Sequence, residues 1–352
     1  MAKTLMKGNE AIAEAAIKAG CRFFFGYPIT PQNQIPEYMA KRMPQVGGCF
    51  LQAESEVSAI NMVYGAAGAG ARVMTSSSSP GISLKQEGIS YLACSELPCV
   101  VVNMVRSGPG LGGILPSQGD YFQATKGGGH GDYHLIVYAP ASVQEAADLV
   151  GLAFDKADEY RTPVMIIGDG MVGQMMEPVE FKERPVKEFK KDWAATGWSD
   201  KSRPRAVVNS LYIEADEMLA VNKRLQAVYE TIKKNEVMVE EYMMEDAEYA
   251  ICAYGTTSRV AKSAAKTARE QGIKVGVIRP ITLWPFPMEA INKAADHVKH
   301  FLTVEMSSGQ MVEDVKLAVN GKKPVDFYGV VGGYVPTPDG VLNEILKIKE
   351  GK

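Results

Sequence analysis

Three polar side chains stand where apolar segments end, and their chemistry suits a small anionic ligand. Thr30 lies in the turn sequence GYPITP, Glu56 opens a helical pattern, and Arg106 ends the run CVVVNMVR. A guanidinium group can hold a carboxylate through two parallel hydrogen bonds, and a core-facing carboxylate can share a proton with a ring nitrogen. The sequence therefore predicts a crevice that combines an anion site with an acid–base group.

Each of these residues also has a purely structural interpretation. Thr30 and Pro31 have the pattern of an N-cap and first-turn pair opening a helix over 34–42. Glu56 can compensate the helix dipole, although apolar residues three, four, seven and eleven positions later place it on a core-facing stripe. Arg106 can be a solvated residue at a strand end. The residues alone leave these alternatives open.

The elements that position these residues alternate between apolar runs and helical patterns. Strands that are apolar on both faces are typical of a parallel sheet covered by helices, so the predicted fold class is α/β. The candidate strands are 22–25, 72–75, 99–105, 135–138 and 164–167, and the candidate helices between them include 10–19, 55–69 and 142–158.

We divide the chain into three parts. Residues 1–177 form the first domain, and a charged, Pro-interrupted connector at 178–246 ends in a long polar helix over about 211–245. A second αβ alternation over 247–352 indicates a smaller doubly wound domain. Its predicted strands are 250–253, 274–278 and 300–305, and its predicted helices are 258–271, 288–295, 311–318 and one from 341.

Composition excludes several functional classes. The 352 residues are 46% hydrophobic, enough for two full cores, and the net charge of -3 gives no basic footprint for nucleic acid. No apolar run has the length of a signal peptide or membrane helix, so we expect a cytoplasmic protein that does not bind a membrane. The five cysteines are scattered without a C-x-x-C pair, which predicts buried thiols rather than disulfides or cluster ligands.

Two glycine-rich segments are predicted to be flexible loops beside the crevice. SGPGLGG at 107–113 satisfies G-x-G-x-x-G, but it is not followed by a good helix start, and no acid ends a second strand about 20 residues later. A nucleotide-dependent oxidoreductase is therefore a disfavoured alternative. In KGGGHGDYH at 126–134, His130 and His134 can act as donors but lack the partners of a metal site.

Gly168-Asp169-Gly170 resembles the start of the Mg²⁺–diphosphate motif of thiamine diphosphate enzymes. That motif continues to a pair of asparagines roughly 25 to 30 residues later, and no asparagine occurs between 170 and 208 in this chain. We therefore expect no metal site here, and the metal and diphosphate should lie on another polypeptide.

Taken together, these motifs resemble the α-type subunit of 2-oxoacid:ferredoxin oxidoreductases over essentially the whole chain. The resemblance rests on YPITP at 27–31, Ser55-Glu56, Arg106 and RPITLWPFP at 279–287. It implies a thiamine-diphosphate-type pyrimidine-binding domain followed by a transketolase C-terminal-like domain. The segments YGTTSR at 254–259 and VEMSSGQ at 304–310 match the second domain, where we expect structural and interface roles.

The resemblance also implies a reaction and a role for each site residue. Glu56 would hydrogen-bond the aminopyrimidine ring of thiamine diphosphate, favouring the tautomer that removes the thiazolium C2 proton. Thr30 would contact the substrate carbonyl or carboxylate, and Arg106 the carboxylate. The implied reaction is reversible oxidative decarboxylation of a 2-oxoacid to acyl-CoA and CO₂, with coenzyme A as co-substrate and ferredoxin reduced.

Partners must supply the rest of the chemistry. The resemblance implies a β-type subunit that shares thiamine diphosphate and carries its Mg²⁺, together with γ-type and ferredoxin-like subunits. The five dispersed cysteines cannot supply four thiolates to a [4Fe-4S] cluster, so clusters are expected on those partners, and electrons pass to an external ferredoxin.

The substrate is expected to be a branched-chain 2-oxoacid such as 2-oxoisovalerate. The two glycine-rich loops look most like those of branched-chain enzymes, and no second arginine near Arg106 is available for the distal carboxylate of 2-oxoglutarate. Turnover of 2-oxoglutarate or pyruvate, or a noncatalytic scaffold role, stays an alternative. Leu115-Pro116 departs from the family pattern, and its role is left open between substrate contact and scaffolding.

Overall fold

The computed structural model describes residues 3–182, 185–199, 201–202 and 204–351, which form two large sheets and a two-stranded sheet, all packed against helices. The strands are β1 Thr4–Lys7, β2 Phe23–Gly26, β3 Cys49–Gln52, β4 Val73–Ser77, β5 Cys99–Val105, β6 Ile136–Tyr138, β7 Pro163–Asp169, β8 Met176–Val179, β9 Val239–Tyr242, β10 Tyr249–Cys252, β11 Val275–Pro280, β12 Thr282–Trp284, β13 His300–Glu305 and β14 Val325–Gly329. The helices are α1 Gly8–Lys18, α2 Gln34–Arg42, α3 Glu56–Gly68, α4 Pro80–Cys94, α5 Tyr121–Thr125, α6 Val143–Tyr160, α7 Gly170–Gln174, α8 Ala215–Asn235, α9 Gly255–Glu270, α10 Met288–Ala294, α11 Met311–Val319 and α12 Pro338–Glu350, with a 3₁₀ turn at Met43–Val46.

The first sheet has seven strands in the order β12-β6-β7-β5-β4-β2-β3. Its strands run parallel except β12, which is antiparallel to β6. Every residue of β5 and β7 is buried, because helices cover both faces of the sheet. The predicted α/β class is confirmed. Since the strands are parallel, the carboxyl ends of β2, β4 and β5 lie at one edge, and the loops from that edge hold the predicted site residues.

The second sheet has the order β14-β13-β10-β11-β9, and it is parallel except for β9. The helix predicted over 211–245 is too long, because α8 ends at Asn235 and β9 follows it into this sheet. β12 belongs to the second half of the sequence, yet it pairs with β6 in the first sheet. The predicted domain limits stay a prediction, and residues 183–184, 200 and 203 of the connector lie outside the described residues.

Two buried polar side chains join the halves of the chain. The Arg279 guanidinium, at the end of β11, donates to both carboxylate oxygens of Glu145 on α6 at 2.9 and 2.6 Å, and to Glu240 on β9 at 2.7 Å. Gln118 is 2% exposed, and its side chain donates to the Tyr254 carbonyl at 2.9 Å and accepts from the Met306 N–H at 2.9 Å. The motif segments of the second half therefore make packing contacts with the first half of the chain, and their role at a subunit interface stays a prediction.

No helix among the described residues is both long enough and apolar enough to cross a membrane.

Candidate active site

The predicted site residues lie at the carboxyl edge of the first sheet. Thr30 follows β2, Glu56 is the first residue of α3 after β3, and Arg106 directly follows β5. The loop after β4, where Ser79 precedes α4, runs between them. In an open parallel sheet this edge forms the ligand crevice, so the topology places all three residues where a ligand can be reached.

Arg106 and Thr30 are brought into direct contact. The Arg106 Nη1 donates to the Thr30 carbonyl at 2.9 Å, and Nη2 donates to the Leu111 carbonyl at 2.7 Å. Its Nε is buried and has no hydrogen-bond partner among the described residues. The guanidinium is thus held by neutral carbonyls, which fix its position without cancelling its charge. An anion at this place would meet a preoriented cation.

Ser79 connects the loop after β4 to Arg106. Its hydroxyl accepts a hydrogen bond from the Arg106 N–H at 3.1 Å, and its own N–H donates to the Asn103 side chain at 3.1 Å. Asn103 in turn donates to Asp120 at 2.9 Å, and burial raises the pKa of Asp120. Ser79 has φ 26°, a region that costs a non-glycine residue free energy, so the surrounding bonds hold the backbone in strain beside the crevice.

The Glu56 carboxyl group faces inward at the start of α3. Glu56 is 6% exposed, and the Ser55 hydroxyl caps the helix by accepting from the Ser58 N–H at 3.2 Å. The predicted core-facing stripe is confirmed, since its apolar members are all buried: Ala59, Ile60, Val63 and Ala67. A dipole-compensating acid need not be buried, so burial favours the inward-facing interpretation.

Glu56 packs directly against the first turn of α4. A Cβ placed on Gly81 would lie 2.6 Å from Glu56 Oε1, and the Ser77 hydroxyl lies nearer still. The hydroxyls of Ser77 and Ser78 are buried without a partner among the described residues. Buried polar groups are nearly always hydrogen-bonded, so unpaired ones beside a buried carboxylate indicate groups that a ligand satisfies.

Lys85 lies one turn further along α4 and is fully buried. Its ammonium group donates to the Thr75 hydroxyl at 2.7 Å and to the Ser76 carbonyl at 2.9 Å, both on β4. Burial lowers the pKa of Lys85 to about 7, and the nearby charge of Glu56 acts in the opposite direction. Sequence reasoning missed both this lysine and the serine-rich loop. The signal was the polar run TSSSSPG between a strand and a Pro-Gly helix start.

The N-cap interpretation of Thr30 and Pro31 is wrong. α2 begins three residues later, its N-cap residue is Asn33, and that residue makes no side-chain cap hydrogen bond. The turn is held from outside instead, because Asn9 and Gln174 each donate to the Pro31 carbonyl at 2.8 Å.

The glycine-rich segment after Arg106 folds back on itself. The Gly113 N–H donates to the Ser107 carbonyl at 2.8 Å, and the Ser107 N–H donates to the Leu115 carbonyl at 2.9 Å. Arg106 and Pro116 form an isolated antiparallel bridge. Leu115-Pro116 therefore scaffolds the loop through its backbone, while the Leu115 side chain is 54% exposed.

The histidines and Asp169 have identifiable places. His134 stacks on Trp284 with ring centroids 4.5 Å apart, and burial lowers its pKa, whereas His130 is exposed. Asp169 is buried and caps α7, accepting from the Met171 and Val172 N–H groups at 2.8 and 3.1 Å. Among the described residues no group of three or more His, Cys, Asp or Glu side chains is arranged to hold a metal ion.

The cysteines are free, but not all are buried as predicted. Burial raises the pKa of the Cys21, Cys99 and Cys252 thiols to about 12. Cys94 is partly buried, and the prediction is wrong for Cys49, which is exposed because β3 is the edge strand of its sheet.

A cavity of about 970 Å³ lies away from this crevice and is lined by residues of α1 and α6 together with residues 180–182 and 185–186. None of the predicted site residues lines it. The crevice is therefore identified by its strand ends and unpaired polar groups rather than by volume.

Comparison with known families defines the class of protein. Residues 14–243 match the family described as pyruvate flavodoxin/ferredoxin oxidoreductase, thiamine diphosphate-binding, and residues 247–341 match the core domain II of pyruvate:ferredoxin oxidoreductase. The class is an α/β subunit that binds thiamine diphosphate. The chain belongs to the 2-oxoacid:ferredoxin oxidoreductase family, and its resemblance to the α-type subunits is confirmed.

Two curated relatives show the range within the family. The chain is 52% identical over 350 residues to the ketoisovalerate oxidoreductase subunit VorB of Methanothermobacter marburgensis, covering 99% of this chain and 98% of the relative. It is 37% identical over 380 residues to the 2-oxoglutarate synthase subunit KorA of Methanothermobacter thermautotrophicus, covering 97% and 98%.

Solved structures confirm the arrangement of the fold. The 2-oxoglutarate:ferredoxin oxidoreductase of Magnetococcus marinus, solved with 2-oxoglutarate, coenzyme A and succinyl-CoA bound, matches with a TM-score of 0.86 at 25% identity. The match covers 98% of this chain but 65% of that chain, just under two thirds. A split-gene transketolase matches with a TM-score of 0.58 at 16% identity over 97% of both chains, which shows the fold alone.

The contact between Gly81 and Glu56 leads to a first prediction. Gly81→Ala should lower the free energy of unfolding by about 1 to 3 kcal/mol, because the new methyl group displaces Glu56 or Ser77 at the end of β4. Gly65→Ala is the matched control, since Gly65 lies in α3 with nothing within 4 Å of its Cβ position. It should be neutral or stabilise by up to about 1 kcal/mol. Urea unfolding of both variants tests this, and equal stability would contradict the close approach.

Proposed function

We propose that the chain contributes Glu56, Thr30 and Arg106 to oxidative decarboxylation of a branched-chain 2-oxoacid to acyl-CoA and CO₂, with reduction of ferredoxin. The observation that carries this proposal is the convergence at one sheet edge of a buried carboxylate and a cation held only by neutral carbonyls. The first is a group for acid–base work, and the second is a group for carboxylate binding.

The residues around Glu56 fit the pyrimidine ring of thiamine diphosphate. That ring offers nitrogen acceptors and an amino donor, and the site offers a buried carboxyl group close to the buried Ser77 hydroxyl, which has no partner among the described residues. When bound, the cofactor supplies the nucleophilic carbon and the electron sink that decarboxylation requires. Glu56 holds or releases a proton at the ring nitrogen, and Gly81 leaves the space in which its carboxyl group lies.

Arg106 and Thr30 orient the substrate. The guanidinium is fixed by its bonds to the Thr30 and Leu111 carbonyls, so only its remaining hydrogens and its charge face a ligand. A carboxylate bound there places the adjacent keto group of a 2-oxoacid beside Thr30. Because the guanidinium is already positioned, little conformational entropy is lost when the substrate binds.

The exposed apolar residues of the loop after Arg106 support a branched-chain substrate. Leu111, Ile114 and Leu115 are 79%, 63% and 54% exposed, and residues 107–119 contain no lysine or arginine. An apolar side chain can be buried against such residues, whereas a second carboxylate would have no cationic partner from this loop. The higher identity to VorB than to KorA points the same way. Activity on 2-oxoglutarate or pyruvate is the alternative.

Partner subunits supply the metal and the iron–sulfur clusters in this proposal. Asp169 of the GDG sequence already caps α7 through two backbone N–H groups, and the cysteines Cys21, Cys99 and Cys252 are buried thiols in separate strands or strand ends. A β-type subunit holding Mg²⁺ and diphosphate, with γ-type and ferredoxin-like subunits, completes the enzyme. We propose a cytoplasmic location for the enzyme because the sequence has no apolar run of the length of a signal peptide or membrane helix.

Replacing Glu56 tests its acid–base role. Glu56→Gln should keep assembly but reduce turnover by ~10² or more, because the amide fills the same space yet cannot exchange a proton with the ring nitrogen. The matched control is Glu54→Gln, which alters an exposed acid two residues earlier. Steady-state rates at saturating thiamine diphosphate measure both variants. Turnover of Glu56→Gln within about threefold of wild type would favour the scaffold alternative.

Replacing Arg106 tests the carboxylate site. Arg106→Lys should reduce kcat/KM for all 2-oxoacids by about ten- to a hundredfold, because lysine keeps the charge but loses the bidentate fork. Branched-chain acids should rank first before and after the change, and Arg42→Lys on α2 should alter neither rate nor ranking. If wild type had its highest kcat/KM on 2-oxoglutarate and Arg106→Lys raised kcat/KM only for monocarboxylic 2-oxoacids, Arg106 would bind the distal carboxylate instead.

The division of labour is tested on the purified chain. Without partners it should show no iron–sulfur absorption and should bind thiamine diphosphate weakly, because it lacks the metal ligands and cluster thiolates. Addition of the β-type subunit should raise cofactor affinity in titration calorimetry. A brown chain, or tight Mg²⁺-dependent cofactor binding without partners, would place those groups on this polypeptide.

A further inference from the structure

Gln118 is a buried amide in the loop that connects β5 to α5, and the proposed reaction does not yet use it. Its side chain is held by the second half of the chain alone. Nε2 donates to the Tyr254 carbonyl, and Oε1 accepts from the Met306 N–H and the Thr257 hydroxyl, each at 2.9 Å. A carbonyl faces one end of the amide and an N–H faces the other, so one orientation satisfies both.

The backbone at this end of the loop is fixed to the same partners. The Gln118 N–H donates to the Met306 carbonyl at 2.8 Å, and the Tyr254 hydroxyl donates to the Gln118 carbonyl at 3.3 Å. The Ser117 hydroxyl also donates to the Met306 carbonyl, at 3.3 Å. The loop therefore ends in a segment whose main chain and side chains are both bonded to the second half of the chain.

A close contact with the second half also fixes the loop before Gln118. Leu115 packs on Gly333, in the segment after β14, where a Cβ would lie 2.4 Å from the Leu115 Cβ. Gly333 has φ 93°, a backbone conformation that favours glycine, so no side chain occupies the space that Leu115 fills. The second half thus contacts the loop at two separate places.

The other end of the same loop carries Arg106. Arg106 and Pro116 form an antiparallel bridge, and Gln118 lies only two residues beyond Pro116. The Leu111 carbonyl, within the loop, accepts from the Arg106 Nη2 at 2.7 Å. The loop therefore supports both the backbone and the guanidinium of Arg106, and Gln118 determines where the loop lies.

We propose that Gln118 is a positioning residue for Arg106, because it holds residues 107–118 against the second half of the chain and so fixes the guanidinium in the crevice. This inference rests on the proposed role of Arg106 in substrate binding. A bidentate bond to a carboxylate depends on direction as well as on charge, so a displaced guanidinium binds it less well. Gln118 acts through the loop without contacting the substrate.

The inference is tested by Gln118→Met in the assembled enzyme, since methionine has a similar length but no amide. The KM for 2-oxoisovalerate should rise about tenfold, because Arg106 is no longer held in place, while the KM for coenzyme A is unchanged. Steady-state kinetics with each substrate varied in turn measure both constants. A loss of folded enzyme alone would lower kcat and leave both KM values as they are.

The matched control is a different polar contact between the two halves. Glu145→Gln weakens the bond to Arg279, and the Glu145 side chain bonds to Arg279 and the Ala141 N–H rather than to the loop. It should leave the KM for 2-oxoisovalerate unchanged. An equal rise in both variants would assign the effect to general loosening between the halves and overturn the inference.

A milder variant serves if Gln118→Met does not fold. Thr257→Val removes one donor to the Gln118 amide from the second half of the chain and keeps a side chain of similar shape. It should raise the same KM by about two- to threefold, since two of the three side-chain bonds remain. A KM equal to that of wild type would contradict the proposed role of these bonds.

Hydrogen exchange tests the loop without any turnover. The Ser107 N–H donates to the Leu115 carbonyl at 2.9 Å, and the Gly113 N–H donates to the Ser107 carbonyl at 2.8 Å. In Gln118→Met both amides should exchange about tenfold faster, because the loop opens more often, whereas Glu145→Gln should leave them unchanged. Mass spectrometry of the assembled enzyme measures these rates, and unchanged protection in Gln118→Met would overturn the inference.

A double variant shows whether Gln118 acts through Arg106. In the Arg106→Lys background, which lacks the fork, Gln118→Met should lower kcat/KM by about threefold or less, against about tenfold in wild type. Equal losses in both backgrounds would overturn the inference. If Arg106→Lys lowers kcat/KM and Gln118→Met does not, only the role of Gln118 is wrong. If Arg106→Lys leaves kcat/KM unchanged, the proposed carboxylate site is wrong, whatever the exchange rates show.

Discussion

The close approach of α3 and α4 is the constraint on which the crevice depends. It is possible because α4 presents glycine where α3 presents Glu56 and Ile60, with hypothetical Cβ contacts of 2.6 and 2.5 Å at Gly81 and Gly88. Any larger side chain would separate the helices or displace the carboxyl group. The inward direction of Glu56 is thus fixed by the absence of side chains on its neighbour, rather than by a strong bond to it.

The start of α4 also connects the packing around Glu56 to the other end of the crevice, where Arg106 and Thr30 lie. Ser79 immediately precedes α4, and its hydroxyl holds the backbone of Arg106 while Arg106 holds the carbonyl of Thr30. The strained φ of 26° at Ser79 is maintained because bonds from Asn103 and Arg106 fix the residue on both sides. The proton-transfer end and the carboxylate end are therefore parts of one hydrogen-bonded and packed unit.

The sequence predicted those parts whose pattern follows from local burial. Buried strands such as β5 and β7 read as continuous apolar runs, and the stripe on α3 showed which way Glu56 points. α4 was missed because the face it turns to α3 carries Gly81, Lys85 and Gly88, so it has no apolar stripe there. β9 and β12 were missed because three- or four-residue edge strands are defined by their antiparallel partners, which a local pattern does not contain.

Lys85 and Arg106 show why a site is harder to predict than a fold. Core positions are mostly occupied by apolar residues, whose burial stabilises the fold, so a pattern of apolar residues in the sequence predicts the core directly. Lys85 lowers stability where it stands, and the Arg106 guanidinium is fixed by the Thr30 and Leu111 carbonyls, which do not cancel its charge. Such local conflicts persist where function requires them, and they become visible only when the three-dimensional neighbours are known. The burial of Lys85 and of Glu56 is therefore recognised only in the structure, since the sequence alone shows one lysine in a helix and one glutamate at a helix start.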